Sequence, residues 1–145
     1  MTSAFVLDCS ATLPWIFHDE AIPATDRLLD DLTAGATAWV PSLWHLELGN
    51  VLLGAQRRKR IDQAGIEAFL ARLLVYNISI DEATTSQAWN KTLDLALLHK
   101  LSTYDACYLE LALRRNLPLA TLDTELIRAA NHAGVALCLP KPPRH

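Results

Sequence analysis

Short apolar segments alternate with longer amphipathic segments along the chain, and this alternation limits the possible folds more than any other feature. The apolar segments predict buried strands at 4–8, 37–41, 78–80, 117–123 and 135–139. Segments with apolar residues at helical spacing lie between them and predict helices at 24–35, 42–60, 63–77, 81–99, 101–113 and 124–134. Because helices separate the strands and no hairpin signal joins two of them, the pattern predicts an α/β domain. Its short strands would form a central parallel sheet flanked by helices.

Composition and length favour one globular domain. The chain has 145 residues, of which 51% are hydrophobic and 20% are charged, which is typical of a domain with its own core. We expect this domain to span residues 1–139 and the proline-rich tail at 140–145 to be loose. No apolar run approaches 18 residues, so no membrane span is predicted. The N-terminus lacks a basic region and meets Asp8 early, unlike a signal peptide.

The cysteines indicate a cellular compartment. Cys9, Cys107 and Cys138 are odd in number and form no CxxC pair, so reduced thiols are expected rather than disulfides or a zinc site. Reduced thiols are typical of a cytoplasmic protein.

The charge of the whole chain does not indicate nucleic-acid binding, since the net charge is −3. One basic cluster stands out: Arg57, Arg58, Lys59 and Arg60 follow one another at the end of a predicted helix. Two interpretations stay open for it. In one, the cations are solvated at a helix C-terminus, where the helix dipole favours them; in the other, they contact phosphates.

Four carboxylates occupy positions that are candidates for a ligand site in a fold of this class. Asp8 and Asp123 each follow a predicted strand, and ligands of open α/β sheets bind beyond the carboxyl ends of strands. Glu47 is predicted to lie mid-helix on an apolar face, where an unpaired carboxylate is costly. Asp105 lies in the first turn of an apolar helix. Structural alternatives remain: Asp8 and Asp123 suit helix caps, and Asp105 suits a capping box with Ser102.

Taken together, the four acids indicate a metal site. Carboxylates that converge without cations repel one another, and a divalent ion removes that repulsion. Mg²⁺ and Mn²⁺ prefer carboxylate oxygen and commonly serve phosphate chemistry, where a pair of ions can activate a water and stabilise a leaving oxygen. Other chemistries are poorly supported, because the histidines are scattered and no glycine-rich phosphate loop exists. An aspartyl-phosphate phosphatase would need a D-x-D pattern, which fails at Ser10.

Four motifs, in this order and spacing, resemble the PIN domain, and more narrowly the VapC-type ribonuclease toxins of toxin–antitoxin pairs. They are FVLDCS, PSLWHLELGNVL, STYDACYLELAL and LATLDTEL, and the resemblance runs from about residue 5 to 138. It implies a PIN-like fold and a metal-dependent endoribonuclease. Asp8, Glu47, Asp105 and Asp123 would be its catalytic residues and would hold Mg²⁺ or Mn²⁺. Thr121 and Ser10 would be hydroxyl residues near the metal, and Asn50 matches a polar position of the second motif.

The resemblance also implies partners. An RNA substrate, a cognate antitoxin and a second copy of the chain are expected, with an antitoxin segment in a hydrophobic groove near the acidic pocket. In relatives an antitoxin arginine can enter the carboxylate cluster. The chain departs from the family at Pro14, where relatives usually continue in helix. The alternative to the enzyme is a catalytically silent PIN-like module that only binds RNA or protein.

Overall fold

The structure is a computed structural model, and it describes residues 2–140. Its strands are β1 (Ala4–Leu7), β2 (Thr37–Pro41), β3 (Asn77–Asp81) and β4 (Leu119–Ala120). Its helices are α1 (Cys9–Thr12), α2 (Pro23–Thr33), α3 (Trp44–Arg57), α4 (Gln63–Leu73), α5 (Thr84–Gln87), α6 (Lys91–His99), α7 (Thr103–Arg115) and α8 (Thr124–Ala133). No helix in this part of the chain is long and apolar enough to cross a membrane. The predicted tail at 140–145 falls almost wholly outside the described residues.

The strands form one parallel sheet in the order β3-β2-β1-β4, so the predicted fold class is confirmed. The apolar side chains of β1 explain its central place, because Phe5, Val6 and Leu7 are all fully buried and a strand buried on both faces is apolar throughout. α7 packs across β1 and β2 and is itself largely buried. The carboxyl ends of all four strands therefore open on one edge of the sheet.

Two predicted elements are wrong in the C-terminal half. The segment 81–99 is not one helix: Asp81 ends β3, and a break at 88–90 separates α5 from α6. Asn90 has a non-helical backbone, and its side-chain amide donates to the Ser86 carbonyl at 3.1 Å, a local hydrogen bond that competes with helix formation. The segment 135–139 is not a regular strand, since only an isolated bridge joins Leu137 to Leu119.

The helices near the sheet edge also differ from prediction in their starts. Ser42 does not cap α3; its N–H donates to the Thr84 hydroxyl at 3.1 Å, and the helix begins at Trp44. The chain after β1 forms only the four-residue α1 and then a 3₁₀ turn at Leu13–Trp15. Pro14 lies in that turn, consistent with a short first helix, because proline removes a backbone donor.

Candidate functional site

Asp8 lies at the centre of the sheet edge. It follows the last residue of β1, and its N–H donates to the Ala120 carbonyl at 3.0 Å, which extends the pairing of β1 with β4. Its side-chain Oδ2 accepts hydrogen bonds from the hydroxyls of Ser10 at 2.7 Å and Thr121 at 2.8 Å. Asp8 is only 8% exposed, so this carboxylate is held in place by hydroxyl groups in a nearly water-free position.

Ser10 and Thr121 also connect the two loops that follow β1 and β4. Ser10 Oγ accepts the N–H of Leu122 at 2.8 Å, and Thr121 Oγ1 accepts the N–H of Asp123 at 3.1 Å. The two hydroxyl oxygens are 3.2 Å apart. These bonds fix the start of α8, and Asp123 with it, against the end of β1.

Asp105 and Asp123 lie at helix N-termini. Asp123 is the N-cap of α8, and its Oδ1 accepts the N–H of Leu126 at 3.0 Å; the capping interpretation is therefore correct as far as the structure of α8 goes. In α7 the N-cap is Ser102, as predicted, and its hydroxyl oxygen accepts the backbone N–H of Asp105 at 3.1 Å. The carboxylate of Asp105 is half buried beside this cap.

Glu47 is in the first turn of α3, and the prediction that it lies mid-helix is wrong because the helix begins at Trp44. The positive end of the helix dipole favours a carboxylate there. Its Oε1 accepts a hydrogen bond from the hydroxyl of Tyr108 in α7. Sequence reasoning missed Tyr108 as a site residue, although it lies one turn after Asp105 on the same face of α7.

The four carboxylates share one electrostatic environment. Burial raises the pKa of Asp8, and the charge of Asp123 raises it further, against the hydrogen bonds from the two hydroxyls. Burial likewise raises the pKa of Glu47, with contributions from Asp8 and Asp105. The pKa of Asp105 is raised by burial and then by Asp123 and Asp8. Within residues 2–140 none of the four forms a salt bridge, so their mutual repulsion has no basic side chain to offset it.

The chemistry of these donors fits a hard divalent ion, since carboxylate and hydroxyl oxygens are what Mg²⁺ and Mn²⁺ bind. The arrangement is not preassembled: in the described residues no three His, Cys, Asp or Glu side chains are grouped closely enough to hold an ion. Coordination would therefore require side-chain rotations toward a common point.

The remaining predicted site residues lie on α3 and directly after its C-terminus. Asn50 is exposed one turn after Glu47. Arg57, Arg58 and Lys59 are exposed at the helix C-terminus.

Arg60 is separated from the rest of the basic cluster by its contacts. It pairs with Asp19 and Glu20, each at 3.1 Å, and its guanidinium lies 4.2 Å from the centre of the Phe17 ring. The cluster thus divides into three exposed cations and one that is already paired.

Fold and site together define a class: a parallel α/β domain with acidic residues gathered beyond the strands' carboxyl ends. Comparison with known protein families places it more closely, since residues 5–132 match the model of the PIN domain. The chain belongs to the PIN domain family, as the sequence motifs predicted.

Solved structures agree on the fold. A Pyrobaculum aerophilum protein, PAE2754, is 23% identical, with a TM-score of 0.66 over 89% of this chain and 86% of its own. A toxin–antitoxin complex from Klebsiella pneumoniae is 18% identical, with a TM-score of 0.59; the match covers 93% of this chain and 98% of that one. VapBC2 from Rickettsia felis, bound to a DNA fragment from its promoter, is 17% identical, with a TM-score of 0.61; the match covers 92% of this chain and 96% of that one. A search of curated proteins found no match. At these identities the likeness establishes a shared fold.

Proposed function

We propose that this protein is a Mg²⁺- or Mn²⁺-dependent endoribonuclease and the toxin of a toxin–antitoxin pair. The observation that carries the proposal is that Asp8, Glu47, Asp105 and Asp123 lie near enough for their charges to influence one another, although the side chains are not yet grouped around a common point in the described residues. They come from four separate elements. Burial and then the charges of neighbouring carboxylates raise the pKa values of Asp8, Glu47 and Asp105, and none of the four acids forms a salt bridge among the described residues. Membership of the PIN family and the toxin–antitoxin complexes among the similar structures support the same function.

In this proposal the four carboxylates are the metal ligands. Bound there, the divalent ion would activate a water for attack on the scissile phosphate and neutralise charge on the leaving oxygen. Ser10 and Thr121 hold the Asp8 carboxylate by hydrogen bonds to a single oxygen, Oδ2, which leaves Oδ1 free of side-chain partners in the described residues. The positive ends of α3, α7 and α8 partly offset the repulsion among carboxylates.

Asp105 provides the sharpest test, because its charge can be removed without removing the backbone N–H that donates to Ser102. Asp105→Asn removes the charge but keeps the backbone N–H that Ser102 caps. Ser102→Ala removes the cap and keeps the charge. The two variants can be compared for RNA cleavage in metal-stripped buffer with graded Mn²⁺, and for thermal stability with and without the ion.

We expect Asp105→Asn to lose cleavage by orders of magnitude and to gain little thermal stability from Mn²⁺. The wild type should gain about 2.7 kcal/mol when the ion is at a hundredfold excess over its dissociation constant. Ser102→Ala should keep cleavage and lose about 1 kcal/mol of stability. If Asp105→Asn cleaves RNA like the wild type, Asp105 is only part of the helix start. RNA binding without metal-dependent cleavage in the wild type would favour the silent binding module instead.

A groove between α3 and α4 supports an antitoxin as the protein partner. Trp44, Leu48, Leu70 and Leu74 line it, and Leu74 is 86% exposed. α3 also carries Glu47, so a segment in the groove could extend toward the carboxylates and place an arginine among them. This partner is expected to act in the cytoplasm, where the free thiols of the chain stay reduced.

A second apolar surface supports a homodimer. Trp89, Leu97 and Leu98, on and beside α6, are each at least 74% exposed. Exposed apolar patches of this kind usually mark interfaces. We propose that this surface joins two copies of the chain, and light scattering at micromolar concentration should report twice the monomer mass.

A further inference from the structure

Tyr108 is a fully buried tyrosine whose hydroxyl lies at the acidic site. Its exposed fraction is 0%, so its hydroxyl has no access to bulk water and needs a partner inside the protein. That partner is Oε1 of Glu47, which accepts a hydrogen bond from the hydroxyl. The two residues are 61 positions apart in the chain, and their hydrogen bond joins α7 to α3.

Glu47 has few other restraints. Its side chain contains three rotatable bonds and is only half buried, and the charges of Asp8 and Asp105 lie near enough to repel it. No other hydrogen bond holds its carboxylate in the described residues. Without the tyrosine, rotation toward solvent would relieve the repulsion and separate Glu47 from the other acids.

We propose that Tyr108 is a positioning residue that aims the Glu47 carboxylate at the divalent ion. The inference rests on the proposed function, because it assumes that Glu47 is a ligand. The hydroxyl engages Oε1 and leaves Oε2 available for coordination. The aromatic ring is locked by packing, so the donor is rigid, and groups that orient metal ligands in this way typically change metal affinity by about 10- to 100-fold. One helix, α7, would thus supply the ligand Asp105 and the group that orients a second ligand.

The test measures Mn²⁺ binding to the full chain by calorimetry and by the electron paramagnetic resonance of the bound ion. Tyr108→Phe removes one oxygen and keeps the buried ring. Tyr104→Phe is the matched control, since it removes the same atom from an exposed tyrosine of the same helix. Glu47→Gln and the double variant Tyr108→Phe/Glu47→Gln complete a double-mutant cycle, and the melting temperature of each metal-free variant reports whether the fold is intact.

We expect Tyr108→Phe to weaken Mn²⁺ binding at least about tenfold and to broaden the resonance of the bound ion, whereas Tyr104→Phe should stay within about twofold of the wild type. In the Glu47→Gln background, removal of the hydroxyl should have little further effect, because there is no longer a charged ligand to position. Tyr108→Phe binding at wild-type strength, or weakening equally in both backgrounds, would overturn the inference alone. If Glu47→Gln leaves Mn²⁺ binding unchanged, the ligand assignment of the proposed function fails, and the inference fails with it.

Discussion

Asp81 is the centre of a buried ionic network, so we expect its replacement to lower the free energy of unfolding. It ends β3 with a side chain that is 1% exposed. Its Oδ1 accepts from Arg114 Nη2 at 2.7 Å, and its Oδ2 accepts from Arg114 Nη1 at 3.0 Å and Arg115 Nε at 2.6 Å. The N–H of Ala83 adds a further bond at 3.0 Å. Arg115 also lies 3.5 Å above the ring of Trp39, so the network anchors the C-terminus of α7 to the sheet.

The magnitude follows from the pKa of Asp81. Burial alone would raise this pKa, but the hydrogen bonds from Arg114, Arg115 and Ala83 outweigh burial and lower it from 3.8 to about 2. One pKa unit corresponds to about 1.4 kcal/mol, so the ionised form contributes roughly 2 kcal/mol at neutral pH. Asp81→Asn should lose about that much. The two arginine side chains are 31% and 34% exposed and can turn to water, so the larger penalty of an isolated buried charge should not arise.

Urea denaturation at several pH values measures this effect. A lowered folded-state pKa gives stability that is present above the unfolded pKa and is lost as the pH falls toward the folded pKa. The difference between wild type and Asp81→Asn should therefore be complete at pH 6–7 and roughly halved near pH 3. Glu125→Gln is a suitable control, because it breaks an exposed pair with Arg128 and should cost less than about 1 kcal/mol. An Asp81→Asn variant as stable as the wild type at pH 7, or a difference that does not depend on pH, would refute this reasoning.

Three further predictions concern the site and its surfaces. Asp8→Asn should make the metal-free protein more stable at pH 7, because the raised folded-state pKa of Asp8 means that its charged form destabilises the fold. Urea denaturation should show that this gain vanishes at low pH, where the wild-type Asp8 is protonated. Arg57→Ala combined with Arg58→Ala should lower the salt dependence of binding to single-stranded RNA by about 1.4 logarithmic units per decade of salt, while Arg60→Ala, which loses an existing ion pair, should leave that slope unchanged. Leu97→Glu should shift light scattering toward the monomer mass without loss of helical circular dichroism.

The fold class was predictable because it depends on patterns repeated along the chain. Apolar runs such as 4–8 and 37–41 bury strands on both faces, and the helical spacing between them requires parallel connections. Local chemistry was also predictable where it involves neighbours in sequence. Ser102 caps α7 three residues before the N–H that it accepts, so the signal lies within one turn of helix.

What the sequence alone determined was therefore the alternation of strands and helices and the parallel class of the sheet. What only the tertiary structure decided were the partners of polar groups. Glu47 accepts a hydrogen bond from Tyr108, 61 residues away, and Asp81 accepts one from Arg114, 33 residues away. No rule of sequence spacing applies at such separations. The sequence predicted that Asp81 caps a long helix. In the structure Asp81 ends β3, and its buried carboxylate pairs with Arg114 and Arg115. The reason is physical: periodicity reports which face of an element is buried, whereas the partner of a buried charge depends on how distant elements pack.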